Sequence, residues 1–138
     1  MAITWTEYTP RNNADSAVKY WVAAGDGVEA TDQVLVDYSE LSGTFTKLAV
    51  VRLAIHTNSG ATWTFEFDAN TDAPLAIFDN VGGSTGTGAV GLPDFDLRDT
   101  EGIIDPAGDG TTGDIVVTTS GFANGDFADI LIEVRKIP

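Results

Sequence analysis

The sequence predicts an all-β fold: one domain, built as an antiparallel β-sandwich or jelly roll of about eight strands. Three observations predict it. Apolar residues recur with a period of two. The chain of 138 residues holds 15 glycines and 5 prolines, which punctuate the apolar runs. The helix-like spacing is limited to Ser39-Glu40-Leu41-Ser42, one turn at most before Gly43.

The clearest strand is Thr62-Trp63-Thr64-Phe65-Glu66-Phe67-Asp68. Trp63, Phe65 and Phe67 fall on one side, and the polar residues fall on the other. Residues 127–136 repeat the pattern, with Ile130, Ile132 and Val134 facing one way and Leu131, Glu133 and Arg135 the other. Residues 48–57 place Ala49, Val51, Leu53 and Ile55 on one side, with Arg52 and His56 opposite. Segments 3–8, 18–23, 33–38, 75–78 and 114–120 complete the set, being short and rich in β-branched and aromatic residues. Asn58-Ser59-Gly60 and Asn124-Gly125 each read as the turn of a hairpin. A sandwich is preferred to a jelly roll, because the latter needs long connections.

Residues 1–138 read as one domain, with no internal repeat and no compositional break. Within it, residues 79–112 form a long irregular loop region that leaves room for a short strand near 95–97. Residues 1–11 form either an edge strand or an N-terminal contact arm. As an arm they would present Trp5, Tyr8 and Arg11 to a partner, since aromatics and arginine are favoured interface anchors.

Charge narrows the partners. The formal net charge is −14, from 21 acidic and 7 basic residues. A nucleic acid needs clustered cations to displace its counterions, and an anionic membrane needs the same. Neither partner is expected. There is no cysteine, so disulfides, zinc thiolates and cysteine nucleophiles are excluded. The N-terminal residues lack the pattern of a signal peptide, and no run is long enough for a transmembrane helix.

Tests for chemistry give little. Gly86-Thr87-Gly88-Ala89-Val90-Gly91 matches G-x-G-x-x-G, but Leu92-Pro93-Asp94 follows where a helix must begin. Asp105 and Asp109 are weak calcium candidates, because Asp105-Pro106-Ala107-Gly108-Asp109-Gly110 imitates part of an EF-hand loop. Ala107 and Val116 stand where two ligands belong. His56 is the only histidine and sits in a strand, with no G-x-S-x-G elbow in the chain. No catalytic residue and no cofactor are expected. Trp5, Tyr20, Trp21 and Trp63 could line a sugar site, although Trp63 fits a core position better.

Read together, several segments resemble small β-rich virion proteins of tailed bacteriophages. They are Asp32-Gln33-Val34-Leu35-Val36-Asp37-Tyr38-Ser39, Leu41-Ser42-Gly43, Lys47 to Arg52, and Phe65-Glu66-Phe67-Asp68. Asp96-Leu97-Arg98-Asp99, Gly113 to Gly121, Gly125-Asp126 and Leu131 to Lys136 follow in order. The resemblance implies a decoration or cement protein on the outer capsid surface, with the major capsid protein as partner and a homo-oligomer as a further option. The alternative is a carbohydrate- or receptor-binding module at the tail or neck. That alternative predicts exposed coplanar aromatics.

Overall fold

The structure, a computed structural model, describes residues 3–79, 94–106 and 112–138. It is an antiparallel β-sandwich. Among the described residues there are ten strands in two sheets. The eight expected strands are present, and the two additional ones are short.

Sheet A is ordered β1 (Thr4–Asn12), β2 (Ser16–Ala24), β10 (Phe127–Ile137), β4 (Lys47–Thr57), β7 (Asp94–Asp96). Its sixth strand, β8 (Ile103–Ile104), also pairs with β4. Sheet B is ordered β3 (Gln33–Val36), β9 (Ile115–Ser120), β5 (Thr62–Phe67), β6 (Ala73–Asp79). The helix-like fragment is a single 3-10 turn, Tyr38–Glu40, whose Ser39 N–H donates to the Asp37 carboxylate at 3.0 Å.

Period-two patterning places the core between the sheets. Sheet B supplies Leu35, Val36, Trp63, Phe65, Phe67, Ile115 and Val117. Sheet A answers with Trp21, Leu48, Val50, Leu53, Ile55, Ile130, Ile132 and Val134. Trp21 also ties the layers together, its Nε1 donating to the Leu35 carbonyl at 2.9 Å. That bond settles a buried donor that would otherwise be costly. Phe122 closes one end, edge-on to Trp63 at 4.9 Å between ring centroids.

Three local expectations are corrected. The turn at Asn58-Ser59-Gly60 joins β4 of sheet A to β5 of sheet B, so it is a crossing and not a hairpin. Asn124-Gly125 does form a tight turn, with Asp126 N donating to the Ala123 carbonyl at 3.1 Å and Gly125 at φ 87°. It too links different sheets, β9 to β10. Turn residues specify a change of chain direction; they do not choose the strand that pairs next. Among the described residues, the hairpins that form are β1–β2 and β5–β6.

The third correction concerns β4. Its side chains do not alternate without interruption, because the register against β10 slips between Arg52 and Val50. The bulge moves Leu48 and Val50 into the core with Leu53 and Ile55. Ala49 and Val51 turn to the opposite side and are buried there. One extra residue inverts the facing of everything beyond it. The cover on that side comes from the segment expected to be irregular. β7 pairs with Arg52, Leu53 and Ala54, and β8 pairs with Ala49 and Val50. Together they occupy the edge of β4 that would otherwise be open to another strand.

Candidate interaction surface

The sheet register fixes what each outer face carries. On sheet A, Tyr8, Tyr20, Leu131, Ala54 and Asp94 lie side by side across five strands. The next row is Arg11, Val18, Glu133, Arg52 and Asp96. On the other flank run Thr6, Val22, Asp129 and His56. A mostly apolar stripe led by two tyrosines, 6.0 Å apart, therefore runs to Asp94 beside a charged row. Tyr8 is 54 % exposed, the most open aromatic of the stripe.

Several charges on this face are paired with one another. Arg52 grips Asp94 with two hydrogen bonds of 3.2 and 2.9 Å. Arg98 grips Asp96 in the same forked way at 2.9 and 2.6 Å. Arg11 reaches Glu133 at 2.8 Å, and His56 Nδ1 lies 3.4 Å from Asp129. The Arg98 guanidinium holds the Asp96 carboxyl down to about 2, so the pair stays charged through mild acid. Burial, with the Asp129 carboxylate beside it, pushes the Tyr20 hydroxyl up. Arg135 donates to the Thr100 and Glu101 carbonyls at 3.2 and 2.5 Å, pinning the loop between β7 and β8 onto the sheet. A shallow cavity of about 230 Å³ lies there, lined by Asp15, Val51, Arg98, Glu133 and Arg135 among others.

Of the expected contact residues, Tyr8 and Arg11 share this outer face. Trp5 does not: it packs edge-on to Trp21 at 6.0 Å, against the core. Residues 4–12 are an edge strand of sheet A. Its pairing slips between Tyr8 and Arg11, at Pro10, which has no N–H to offer the ladder. Tyr20, named as an aromatic that could line a sugar site, and Leu131, read on the Glu133 and Arg135 side of its strand, both lie in this stripe; Ala54 carries no sequence signal, and only the register gathers the three.

The outer face of sheet B differs in kind. Its four strands contain no lysine or arginine. Thr62, Thr64 and Thr118 line it, with Ile77 at 64 % exposure. Asp32, Glu66 and Asp72 converge there, their oxygens within 4.8 Å of one another. Three carboxylates could contribute oxygens to a hard cation, but calcium takes six to eight. Burial and the Asp72 and Asp32 charges push the Glu66 carboxyl up. A carboxyl raised on folding adds stability when protonated and loses that contribution as pH rises through its folded pKa. Glu66→Gln is therefore expected to raise the melting temperature at pH 7, with the gain vanishing below about pH 4. Melts across that range check it; no gain at pH 7 would show that the three charges do not repel.

The weak calcium candidates fall elsewhere. Asp105 is buried at 3 % exposure just after β8, its N–H donating to the Leu48 carbonyl at 2.9 Å. Asp105 and Phe67 help line a cavity of about 400 Å³ beside the β5–β6 turn. Asp109 and the G-x-G-x-x-G run from Gly86 to Gly91 lie outside the described residues. Among the described residues, no helix is long and apolar enough to cross a membrane.

No protein-family model matches this chain, and no curated protein matches its sequence.

Proposed function

We propose that the chain is a non-enzymatic structural protein of a tailed-phage particle, a decoration or cement protein held on the outer surface of the capsid. The observation that supports this best is the outer face of sheet A. It is a broad strand surface with a tyrosine-led apolar stripe and forked arginine–carboxylate pairs, the composition of a protein contact. The sequence resemblance to small β-rich virion proteins supplies the particle. A rigid sandwich with one such face meets what a lattice protein needs, because many modest contacts gain strength by repetition.

The tail or neck carbohydrate-binding reading draws less support. Trp63 is fully buried and Trp21 is 9 % exposed. Trp5 packs on the core. The three tryptophans thus serve the sandwich interior, not an exposed sugar platform.

Co-sedimentation with assembled shells and with free shell subunits tests the proposal. The expected result is binding to shells alone, with a copy number in simple ratio to the major capsid protein. Binding to neither, with intact shells, would sink it, and a handful of copies per particle would move the protein to the neck or tail.

A further inference from the structure

Two of the chain's three lysines are buried, Lys19 at 4 % and Lys136 at 5 % exposure. The Lys19 ammonium has the Glu7 carboxylate at 3.5 Å and the Thr9 hydroxyl at 3.0 Å. Lys136 differs: among the described residues, no carboxylate forms a salt bridge with it. An ammonium held out of water without an anion is costly. Burial pushes the Lys136 ammonium down, against the charge of Asp15. That favours the neutral amine, which is a nucleophile.

The partners of Lys136 Nζ are the Asn13 carbonyl, the Ser42 carbonyl at 2.6 Å and the side-chain Oδ1 of Asn12 at 2.8 Å. As an amine it keeps two N–H groups, enough for the two backbone carbonyls. Its lone pair then falls on the third side, that of the Asn12 carboxamide. A C=O bond of about 1.23 Å puts the Asn12 Cγ no further than about 4 Å from Nζ, close to the range of attack. The Ser42 N–H donates to the same Oδ1 at 2.9 Å. A backbone donor there polarises the carbonyl and steadies the negative oxygen of a tetrahedral intermediate. On the leaving side, Asn12 Nδ2 donates to the Glu40 carbonyl at 3.4 Å. The Phe45 ring, 5.5 Å from Nζ at its centroid and packed on Tyr38, walls the site off.

We infer that Lys136 and Asn12 join in an intramolecular isopeptide bond, which the folded chain makes by itself. The Lys136 ammonium first gives one proton to water; Asp15 is the exposed carboxylate whose charge acts on it. The amine lone pair then attacks the Asn12 Cγ, an N–C bond forms, and the carbonyl electron pair moves to Oδ1. That pair returns as the Cγ–Nδ2 bond breaks. A proton passes from Nζ to the leaving nitrogen, so ammonia departs and takes up the first proton as ammonium. One side-chain ammonium and one carboxamide become one secondary amide and one free ammonium ion. No oxidant, reductant or co-reactant is needed, and the product has no charge to bury.

The position suits a staple. Asn12 ends β1, and Lys136 lies 124 positions later, next to the end of β10. The bond ties the first strand to the last across β2 and closes most of the chain into a ring. In a chain without cysteine it acts as a disulfide would, by restricting the unfolded state, and no reductant reverses it. Asn12, Ser42 and Lys136 come from three separate segments, so only the folded chain assembles the site. The inference concerns the inside of one chain and does not depend on the particle.

Intact-mass spectrometry of the purified full chain tests the inference, on fresh protein and after long incubation in mildly alkaline buffer. The expected mass is one ammonia less than the sequence requires, and proteolysis is expected to release a peptide pair joined through Asn12 and Lys136. Asn12→Ala and Lys136→Arg are each expected to restore the full mass. Asn12→Asp keeps the shape of the site and is expected to lose water instead, reaching the same cross-linked mass. The full sequence mass in the unaltered chain at every time overturns the inference, whether or not the variants fold. An ammonia loss that persists in Lys136→Arg overturns it too. So does one that maps to Asn124-Gly125 in place of the Asn12–Lys136 pair, because a succinimide at that turn also releases ammonia.

Discussion

Phe65→Ala is expected to lower the unfolding free energy by about 3–5 kcal/mol. Phe65 is fully buried in β5, at the centre of sheet B. Its ring meets Phe78 edge-on at 5.7 Å, and both flanking strands are paired to its own. Truncation removes the transfer free energy of the ring and leaves a cavity that two hydrogen-bonded sheets cannot collapse to fill. Equilibrium denaturation measures it, and a loss below about 1 kcal/mol would mean the sheets are not held at fixed separation. Trp63→Phe gives a useful contrast from the same face of the strand. Trp63 Nε1 is buried without an acceptor among the described residues. Removing that N–H relieves a desolvation cost of about 1–3 kcal/mol, which offsets part of the lost packing. The expected destabilisation is therefore clearly smaller than for Phe65→Ala.

Gly102→Ala is expected to cost about 2–4 kcal/mol. Gly102 has φ +77°, a conformation that side chains disfavour. A Cβ there would lie 2.6 Å from the Val50 carbonyl oxygen and 2.9 Å from a Val51 methyl. The oxygen cannot retreat, because Val50 is held by β10 on one side and β8 on the other. The strain would lift the loop that Arg135 pins through Thr100 and Glu101. Denaturation reads the stability. A loss under about 0.5 kcal/mol would show that β8 is not firmly seated.

Much of this fold is legible in the chain. Trp63, Phe65 and Phe67 announce their own facing because alternation is a local property of an extended backbone. The same holds for Ile130, Ile132 and Val134. The β4 strand shows where such reading stops. Leu48 to Val51 are all apolar, so either phase satisfies the pattern, and the choice falls to the bulge against β10. Asn124-Gly125 announces a turn for a local reason, namely the positive φ that glycine permits. Which sheet receives β10 is decided by distant strands, β2 and β4, which pair with it on both sides.

The candidate surface divides along the same line. Tyr8 and Arg11 stand out in the sequence as an aromatic and a cation in a terminal strand, whereas Trp5 stands out equally and packs inward. Tyr20 stands out as an aromatic, and Leu131 with Glu133 as the outward side of a regular strand, but that they share one face with Ala54 is set only by strand register. The sequence by itself determined the two-sheet class, the core-facing residues of the regular strands and the acidic excess, since each depends on neighbours in the chain or on composition alone. Tertiary structure alone decided the strand order, the β4 bulge and the gathering of the arginines on one face. Those depend on pairings between residues far apart in sequence, and no local preference encodes them.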